Sequence, residues 1–444
     1  MQLTLRRLVF AGVVVYSIIT CYTTFILLTR VSDTSTNGFK KPRPLAKDSK
    51  RHQDNEEWNP WGEELFRNEA DDNKDVKPKF KWSSSKKLDF GKKFNPINES
   101  DGYHYVEVWG KAAIGHYFWE HILEGKLESK MNGIWHYGFK KERNIKFKFR
   151  TGPGVIPSKA PVDVQYLILL INGRAPDKID FAHLWLQHLS TLSELQKTAV
   201  LLLGNEQCDN DWFLPYMRQH GGLVDHLFIV YDSPMIDSIY IHPWPLGVAT
   251  YRGFNKIEAL TTELNFGRKY MCNFMGTVYD NSSRQMLIKV LSDSDYSDRC
   301  YMKTRQAWEP NETDDSRTKY EQTLLESDLT LSPVGVNTEC YRIYEACAYG
   351  SVPVIEDIMT SGQCGDSNYC QNSPLCLLKS TNPPFIFIKH WSELPEILRL
   401  EEKLTLSEKV ERRTNLVQWY KKFRLNLKNG FLDMLQKSFF DSVT

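Results

Sequence analysis

The sequence lacks an excess of either charge, because 56 Lys and Arg residues nearly balance 55 Asp and Glu residues across 444 positions. Proteins that attract nucleic acid electrostatically normally carry a clear basic excess, so we expect no nucleic-acid partner. Cysteine is also scarce, at nine residues, which excludes a small scaffold built from disulfides. Hydrophobic residues are abundant, at 41%, and they predict a large globular protein of two or three domains, either an enzyme or a receptor.

An uncharged apolar run near the N-terminus, residues 8–28, indicates a membrane anchor. At 1.5 Å per residue, a helix of this length spans roughly 30 Å, the thickness of one bilayer core. A cleaved signal peptide is the alternative, although no clear cleavage site with small residues follows the run. We therefore predict a cytoplasmic tail over residues 1–7 and a transmembrane signal anchor over residues 8–28.

The orientation of this anchor rests on opposing indications. More Lys and Arg residues follow the run than precede it, which by the positive-inside rule would place the C-terminal part in the cytoplasm. Three glycosylation sequons, at Asn98, Asn281 and Asn311, and eight of the nine cysteines lie beyond the run. Both features suit an oxidising lumen, so we predict a single-pass type II membrane protein with a luminal body.

Residues 31–100 differ in composition from the rest of the chain, since 28 of these 70 residues are charged. A segment with so few large apolar side chains cannot bury enough surface to offset the entropy lost on ordering. We predict a flexible luminal stem here.

The chain after the stem alternates short apolar runs with helical patterns, which is typical of βαβ units around a largely parallel sheet. A break at residues 243–247 (PWPLG) divides it into two such series. Helix-period apolar residues then mark the C-terminal tail. We predict an α/β fold with two domains, over 101–250 and 251–400, followed by C-terminal helices over 401–444.

Polar residues follow several of the predicted strands. In open α/β sheets the ligand crevice lies beyond the carboxyl ends of the strands, so these positions are candidates for a site. They are Asn172, Arg174, Asn205, Glu206, Asp209 and Asp232. The alternative is that such residues only cap helices and shape turns.

The most specific pattern lies in residues 327–357 (SDLTLSPVGVNTECYRIYEACAYGSVPVIED). It predicts a strand, a glycine loop at Gly335, a helix from about Thr338 to Gly350, and a second strand. The N-terminus of such a helix attracts phosphate through free N–H groups and the helix dipole. Arg342, one turn in, could pair with a diphosphate, and Glu345 could accept hydrogen bonds from a ribose. An amphipathic helix with an ordinary solvated face is equally consistent with the spacing.

This segment resembles the donor-binding motif of the exostosin-type glycosyltransferases and, more widely, the nucleotide-binding half of GT-B glycosyltransferases. The resemblance implies a GT-B fold in which two Rossmann-like domains face each other and the second binds a nucleotide sugar. Many retaining members carry a second acid eight residues before the ribose glutamate, whereas this sequence has Asn337 there. That departure favours an inverting reaction.

Further segments, 57–61 (EWNPW), 109–115 (WGKAAIG), 203–210 (LGNEQCDN) and 244–252 (WPLGVATYR), resemble in the same order a family of xylosyltransferases that act on ribitol phosphate. The resemblance covers nearly the whole chain after the stem. It implies a Golgi enzyme that transfers xylose from UDP-xylose to ribitol 5-phosphate of the O-mannosyl glycan on α-dystroglycan, forming a β-xyloside. A complex with the fukutin-type ribitol-phosphate transferases is a further expectation from this family.

The resemblance and the strand-end positions together suggest roles for individual residues. The residues expected to bind the donor are Gly276, Thr277, Arg284, Gly335, Asn337, Thr338, Arg342 and Glu345. Glu206 is the expected general base, with Asp209 as the second candidate. The residues expected to hold the acceptor phosphate are Lys111, Arg174 and Arg252.

No cofactor is expected to be required, and a divalent metal is not implied. Asp293 and Asp295 form a DxD sequence, the metal–nucleotide signature of GT-A enzymes, but no apolar strand precedes them. We interpret them as part of a surface loop. A metal-dependent GT-A enzyme, another exostosin-type UDP-sugar transferase and a non-catalytic glycan-binding scaffold remain alternative functions.

Overall fold

The computed structural model describes residues 102–254, 256–257, 264–306 and 313–441. The expected anchor, the expected stem and the sequons at Asn98 and Asn311 lie outside these residues. Within the described ranges, no helix has both the length and the apolar character needed to cross a bilayer.

The first half is built on an eight-stranded mixed sheet. Its strands are β1 His104–Gly110, β2 Glu128–Lys130, β3 Trp135–Glu142, β4 Ile145–Thr151, β5 Tyr166–Asn172, β6 Lys197–Leu203, β7 His226–Val230 and β8 Ile241–Trp244. They lie in the order β2-β3-β4-β1-β5-β6-β7-β8. Strand β3 pairs antiparallel with β2 and β4, and all other pairs are parallel.

The second half is built on a five-stranded, fully parallel sheet. Its strands are β9 Tyr270–Thr277, β10 Cys300–Arg305, β11 Ser327–Ser332, β12 Val352–Glu356 and β13 Ile386–Ile388. Their order is β10-β9-β11-β12-β13. Because all five strands run in one direction, the loops that follow them meet at a single edge of the sheet.

The burial of the strands explains their sequences. All residues of β5, β7 and β12 are buried, and their near-continuous apolar runs fit strands covered on both faces. By contrast, β4 alternates buried residues such as Phe147 with half-exposed ones such as Lys148. This alternation marks a strand with one face packed and the other open.

Helices connect and cover the strands. The described helices of eight or more residues are α1 Pro176–His188, α2 Ser283–Ser292, α3 Asp314–Leu325, α4 Tyr341–Ala348, α5 Leu394–Lys403 and α6 Leu406–Leu435. Shorter helical segments are Ile114–His116, Tyr117–Ile122, Pro157–Lys159, Leu189–Thr191, Asp211–Tyr216, Arg218–His220, Thr250–Arg252, Ser297–Arg299, Cys376–Lys379, Trp391–Glu393 and Gln436–Phe440. The alternation of parallel strands with helices confirms the predicted α/β class with two Rossmann-like sheets.

The long helix α6 packs against both halves. It begins with a capping box, in which Thr405 accepts a hydrogen bond from the backbone of Glu408 and Glu408 caps Thr405 in return. Phe431 contacts Phe118 of the first half with ring centroids 5.1 Å apart. Phe423 lies against Tyr344 of the second half, at 6.5 Å between centroids. The C-terminal helix therefore joins the two halves through apolar contacts.

A buried ion pair also fixes α6 to the second sheet. Arg413 and Asp328 form a salt bridge, with side chains only 1% and 5% exposed. The guanidinium also donates to the carbonyl oxygens of Leu264 and Phe266, at 2.9 and 2.7 Å. Lys409 Nζ adds a second cation 2.9 Å from Asp328. These hydrogen bonds satisfy charges that would otherwise be costly to bury.

We expect Arg413→Ala to lower the free energy of unfolding by about 3 kcal/mol, because it leaves a buried carboxylate and two carbonyl groups with fewer donors. Equilibrium urea unfolding would measure the loss. Arg299→Ala is the matched control, since Arg299 pairs with Glu402 at the surface, where such pairs contribute little. Equal losses in both variants would contradict the structural role given to Arg413.

Candidate functional site

The loops at the carboxyl ends of the two sheets meet in a cleft. Asn337 Nδ2, in the loop after β11, donates to the carbonyl oxygen of Glu206, in the loop after β6, at 2.8 Å. The backbone N–H of Ala249 donates to Glu345 Oε1 at 3.0 Å. A small cavity lies beside Asn337 and is lined by residues of both halves, including Asp232 and Glu339. The strand-end position predicted for the site is thus the place where the halves touch.

A disulfide strengthens this contact. Cys208, two residues after Glu206, is bonded to Cys364 of the second half, across a separation of 156 residues. The other described disulfides are Cys272–Cys300 and Cys370–Cys376, while Cys340 and Cys347 are free. Three disulfides fit the oxidising compartment expected from the cysteine distribution.

Two arginines of the second half lie together at the carboxyl end of β9. Arg284, in the first turn of α2, donates from Nη1 to the carbonyl oxygen of Thr277 at 2.8 Å. Arg342, in the first turn of α4, donates from Nη2 to the carbonyl oxygen of Met275 at 3.1 Å and lies over the Phe274 ring at 4.9 Å. Both side chains are therefore anchored by the end of one strand.

Glycines make room for these two guanidinium groups. A Cβ at Gly276 would lie 3.0 Å from Arg342 Nη2. A Cβ at Gly335 would lie 2.7 Å from Arg284 Nη2, closer than side-chain carbons approach other atoms. The predicted donor residues Gly276, Gly335, Arg284 and Arg342 are thus brought together by the fold, with Thr277 supplying a carbonyl group.

The positive charges of Arg284 and Arg342 repel each other at a site that is partly shielded from water. Burial lowers the pKa of Arg284, and the neighbouring charge of Arg342 lowers it further. An anion bound between them would relieve both effects, because an opposite charge favours the protonated guanidinium. The arrangement therefore suits a ligand with two negative charges, such as a diphosphate.

The opposite wall of the cleft carries a carboxylate held by an arginine. Arg174, after β5, forms a salt bridge with Glu206, and its Nη2 also donates to the hydroxyl of Tyr231 at 2.8 Å. Tyr231 follows β7 with a φ of 74°, a left-handed conformation that is strained for a bulky residue. This backbone conformation accompanies the placement of its hydroxyl on Arg174. The charge of Glu206 also acts on Arg284, so the carboxylate lies within electrostatic reach of the arginine pair.

Glu345 does not lie on an ordinary solvated helix face, which was the alternative that the spacing allowed. It is 5% exposed, and its second carboxylate oxygen accepts from the hydroxyl of Tyr320 at 2.6 Å. Burial raises the pKa of Glu345. The hydrogen bonds from Tyr320 and Ala249 lower it, but the effect of burial is larger. Thr338 and Tyr349, near the two ends of the same segment, are also buried. The alternative of a solvated face is therefore wrong, because Glu345 contacts Ala249 of the first half and Tyr320 of α3, which the spacing alone does not show.

The predicted start of the same helix also needs correction. The helix begins at Tyr341 with Cys340 as its N-cap, whereas the sequence indicated about Thr338. Asn337 and Thr338 instead belong to the preceding loop, where Thr338 Oγ1 donates to the carbonyl oxygen of Ile358 at 2.6 Å. These two side chains hold segments of the protein together, so donor contact by either of them stays a prediction.

The residues expected to bind the acceptor phosphate do not form one cluster. Arg174 lies in the cleft, as described above. Lys111 is 4% exposed, its Nζ donates to the carbonyl oxygen of Pro153 at 2.9 Å, and burial lowers its pKa to about 8. Its charge is therefore directed away from solvent, which corrects the expectation for this residue. Arg252 lies close enough to Glu345 to lower the pKa of that carboxylate, which places Arg252 between the halves.

Asp209, the second candidate for the base, is exposed beside the disulfide of Cys208.

Two further acids shape the site although their positions were not predicted. Glu356, at the end of β12, accepts from the backbone N–H of Val334 at 3.0 Å and from the hydroxyl of Ser283. It thereby fixes both the Gly335 loop and the start of α2. The position of Glu356 at the end of a strand could have identified it as a site residue from the sequence.

Glu339 accepts from the backbone N–H of Leu246 at 2.8 Å, and burial raises the pKa of Glu339 to about 7.

The DxD sequence lies away from the cleft. Asp293 and Asp295 are exposed in the loop between α2 and β10, at the edge where the parallel strands begin rather than end. Across the described residues, no group of three or more His, Cys, Asp or Glu side chains is arranged to hold a metal ion.

Asn281 is exposed in the turn before α2, as a glycosylation site would require.

Comparison with known proteins identifies relatives over nearly the whole chain. Residues 106–245 match the model of the RXYLT1 N-terminal domain, and residues 251–440 match that of the RXYLT1 C-terminal domain. Ribitol-5-phosphate xylosyltransferase 1 of Homo sapiens is 44% identical over 451 residues, covering 99% of both chains. The protein of the same name from Danio rerio is 48% identical over 339 residues, covering 76% of this chain and 77% of its own.

Solved structures show only a distant likeness. An α,α-trehalose-phosphate synthase (UDP-forming) from Burkholderia vietnamiensis aligns with 77% of this chain and 99% of its own, at 11% identity and a TM-score of 0.40. An apo structure of OtsA aligns with 75% of this chain and 99% of its own, at 11% identity and a TM-score of 0.39.

We expect the double substitution Cys208→Ser with Cys364→Ser to destabilise the protein by about 5 kcal/mol, because this disulfide closes a long loop of the unfolded chain. The matched control is Cys370→Ser with Cys376→Ser. This disulfide joins cysteines only six positions apart, so its removal should lower the free energy of unfolding by about 2 kcal/mol. Urea unfolding without reductant would compare them. A larger loss in the control would contradict the ranking.

Proposed function

Since the chain belongs to the ribitol-5-phosphate xylosyltransferase 1 family, we propose that it transfers xylose from UDP-xylose to a ribitol 5-phosphate acceptor. Two relatives that share this name cover 99% of the chain at 43–44% identity. Identity at this level over the full length supports a shared activity, because both halves and the cleft between them are included. The acceptor proposed is the O-mannosyl glycan of α-dystroglycan.

The observation that carries this proposal is the arginine pair facing a carboxylate across the cleft. We assign the diphosphate of the donor to Arg284 and Arg342, where two guanidinium groups converge beside two glycines. The acceptor side is assigned to the wall that carries Arg174 and Glu206. Donor and acceptor then lie on different halves, which supports a GT-B arrangement with its substrates between two Rossmann-like domains.

The proposed reaction is a single displacement with inversion. Glu206 takes the proton of the attacking acceptor hydroxyl, the oxygen forms a bond to the anomeric carbon of xylose, and the bond to UDP breaks. Arg284 and Arg342 offset the negative charge that develops on the departing diphosphate. Arg174 keeps the Glu206 carboxylate oriented, and Asp209 is the second candidate for the base.

We propose that the two arginines supply the positive charge for which other transferases use a metal ion. Two fixed guanidinium groups within a partly buried cleft stabilise a leaving diphosphate without requiring a cofactor. On this proposal, turnover continues in the presence of a chelator. Loss of turnover with EDTA and its recovery with manganese would favour the metal-dependent alternative.

The location and partners of the enzyme are also proposals. The uncharged run over 8–28, the sequons and the three disulfides support a Golgi type II membrane protein with its body in the lumen. A complex with fukutin-type ribitol-phosphate transferases would place this enzyme beside the reaction that makes its acceptor. Protease protection of the body in sealed Golgi vesicles would test the orientation.

The proposed activity is tested by incubating the full-length protein in detergent with a panel of UDP-sugars and a ribitol 5-phosphate acceptor. Mass spectrometry should detect one added pentose with UDP-xylose and release of UDP. Transfer of a different sugar would identify another UDP-sugar transferase. Absence of UDP release with every donor would favour a non-catalytic glycan-binding scaffold.

We expect Glu206→Gln to lower kcat by about 10² to 10⁴, the usual contribution of a positioned base, with donor binding retained. Steady-state kinetics with UDP-xylose would measure the loss, and UDP affinity would serve as the control for folding. Asp209→Asn tests the second candidate in the same assay. Normal turnover in Glu206→Gln would show that this residue is not the base.

We expect Arg342→Ala and Arg284→Ala each to weaken UDP binding by roughly tenfold or more, because each removes a charge-assisted hydrogen bond to the diphosphate. Isothermal titration of UDP would measure the change. Uridine provides the internal control, since it lacks phosphate and should bind each variant as it binds the wild type. An equal loss for uridine would indicate general damage to the site.

A further inference from the structure

One face of the first sheet is open and carries an ordered set of aromatic and basic side chains. The face is formed by β3, β4 and β1, where residues paired across strands point to the same side. Phe139 is paired with Lys148, which is paired with Glu107. Phe139 is 70% exposed and Tyr105, further along β1, is 43% exposed. This part of the sheet is therefore accessible to a partner, as far as the described residues show.

The side chains on this face form two columns. The aromatic column on β3 consists of Trp135, Tyr137 and Phe139, and the basic column on β4 consists of Arg150, Lys148 and Lys146. Successive members of each column are two residues apart, or about 6.7 Å along the strand. Lys141, the next residue on the same side of β3, is paired with Lys146 and lies 4.1 Å from the Tyr103 ring centroid. We call this surface the aromatic–basic face.

The aromatic–basic face is positively charged although the whole protein is nearly neutral. Five cations lie on it, namely Lys130, Lys141, Lys146, Lys148 and Arg150, whereas the acids are Glu107 and Glu128. Glu107 contacts both Lys148 and Arg150 at 3.0 Å. A single carboxylate between two cations leaves a net positive charge, so the face is complementary to an anionic partner.

The face begins at the edge that also carries the cleft. Arg150 and Trp109 lie near the carboxyl ends of β4 and β1, and β5, which ends next to Arg174 of the cleft, pairs with β1. From there the columns extend away from the cleft toward Lys146 and Tyr105. The face and the cleft therefore lie toward the same edge of the sheet.

We propose that the aromatic–basic face binds the phosphate-bearing part of the carbohydrate chain on which the enzyme acts, at a distance from the reacting hydroxyl. Cations spaced regularly along a strand can pair with successive phosphate groups, while exposed rings offer flat surfaces to the carbon skeletons of sugars and polyols. This inference rests on the proposed function, because it assigns to the acceptor a second contact surface.

The test uses the full-length protein and two acceptors, a ribitol phosphate trimer and the ribitol 5-phosphate monomer. Binding is first measured by isothermal titration without donor, so that it does not depend on turnover. The variants are Phe139→Ala and the double substitution Lys146→Ala with Lys148→Ala. The matched controls are Phe266→Ala, at a ring 69% exposed on the second half, and Lys303→Ala, at an exposed position of β10.

We expect the face variants to weaken trimer binding by roughly tenfold, with both controls unchanged. Higher salt should weaken wild-type binding, because salt screens the attraction between a protein surface and an anionic ligand. In turnover assays, KM for the trimer should rise by the same factor, whereas kcat and the KM for the monomer should stay at wild-type values. This split separates an extended binding surface from a merely structural role.

Trimer binding that is unchanged in the face variants would overturn the proposal, and so would an equal rise in the KM for the monomer. Tighter binding of single-stranded RNA than of the trimer, lost in the same variants, would assign the face to nucleic acid instead. Binding that appears only after neutralising the nine acidic residues of segment 54–75 would assign it to the chain's own stem. A further outcome is that the trimer binds the wild type and binds the face variants more weakly, but no sugar is transferred to either acceptor. In that case the proposed function is wrong and the proposed binding surface is supported.

Discussion

The contact between the carboxyl-end loops of the two sheets is the constraint on which the candidate site depends. Asn337 binds the backbone of Glu206, and two residues later Cys208 is covalently bonded to the second half. Neither half alone contains both the arginine pair and the carboxylate. Because α6 also packs against both halves, the distance between these groups is set by tertiary contacts. The candidate site is thereby held in place by contacts between the two halves.

The charged groups on the two sides of this contact differ, with two arginines on the second half and an arginine–carboxylate pair on the first. Arg342 lies close enough to Arg284 for its charge to lower the pKa of the Arg284 guanidinium, and placing two like charges together is costly in the absence of an anion. Arg174, by contrast, already has Glu206 as its partner. Under the proposed function, a diphosphate therefore gains more from the second half than from the first, and the donor and the acceptor are assigned to different walls.

The sequence predicted the elements better than it predicted the surroundings of their side chains. The glycine loop and Arg342 were found because a strand, a turn and a helix follow one another with characteristic residues, and such local patterns survive in the fold. The donor contact of Glu345 stays a prediction, but the burial of this carboxylate could not be foreseen, because a segment almost a hundred residues earlier in the chain contacts it. Lys111 was misjudged for the same reason, since its carbonyl partner at Pro153 is distant in sequence. Helical periodicity identifies a polar face but not what covers it.

The open face of the first sheet follows from the same architecture. Crossover helices cover a parallel sheet on both faces, but the antiparallel hairpin at β3 and β4 needs no helix between its strands, so part of one face stays uncovered. Phe139 and Lys148 occupy that uncovered part. Net charge gives no sign of such a surface, because a sum over 444 residues conceals how charges are grouped. A nearly neutral protein can therefore present a basic, aromatic surface, and the pairing of its strands reveals that surface.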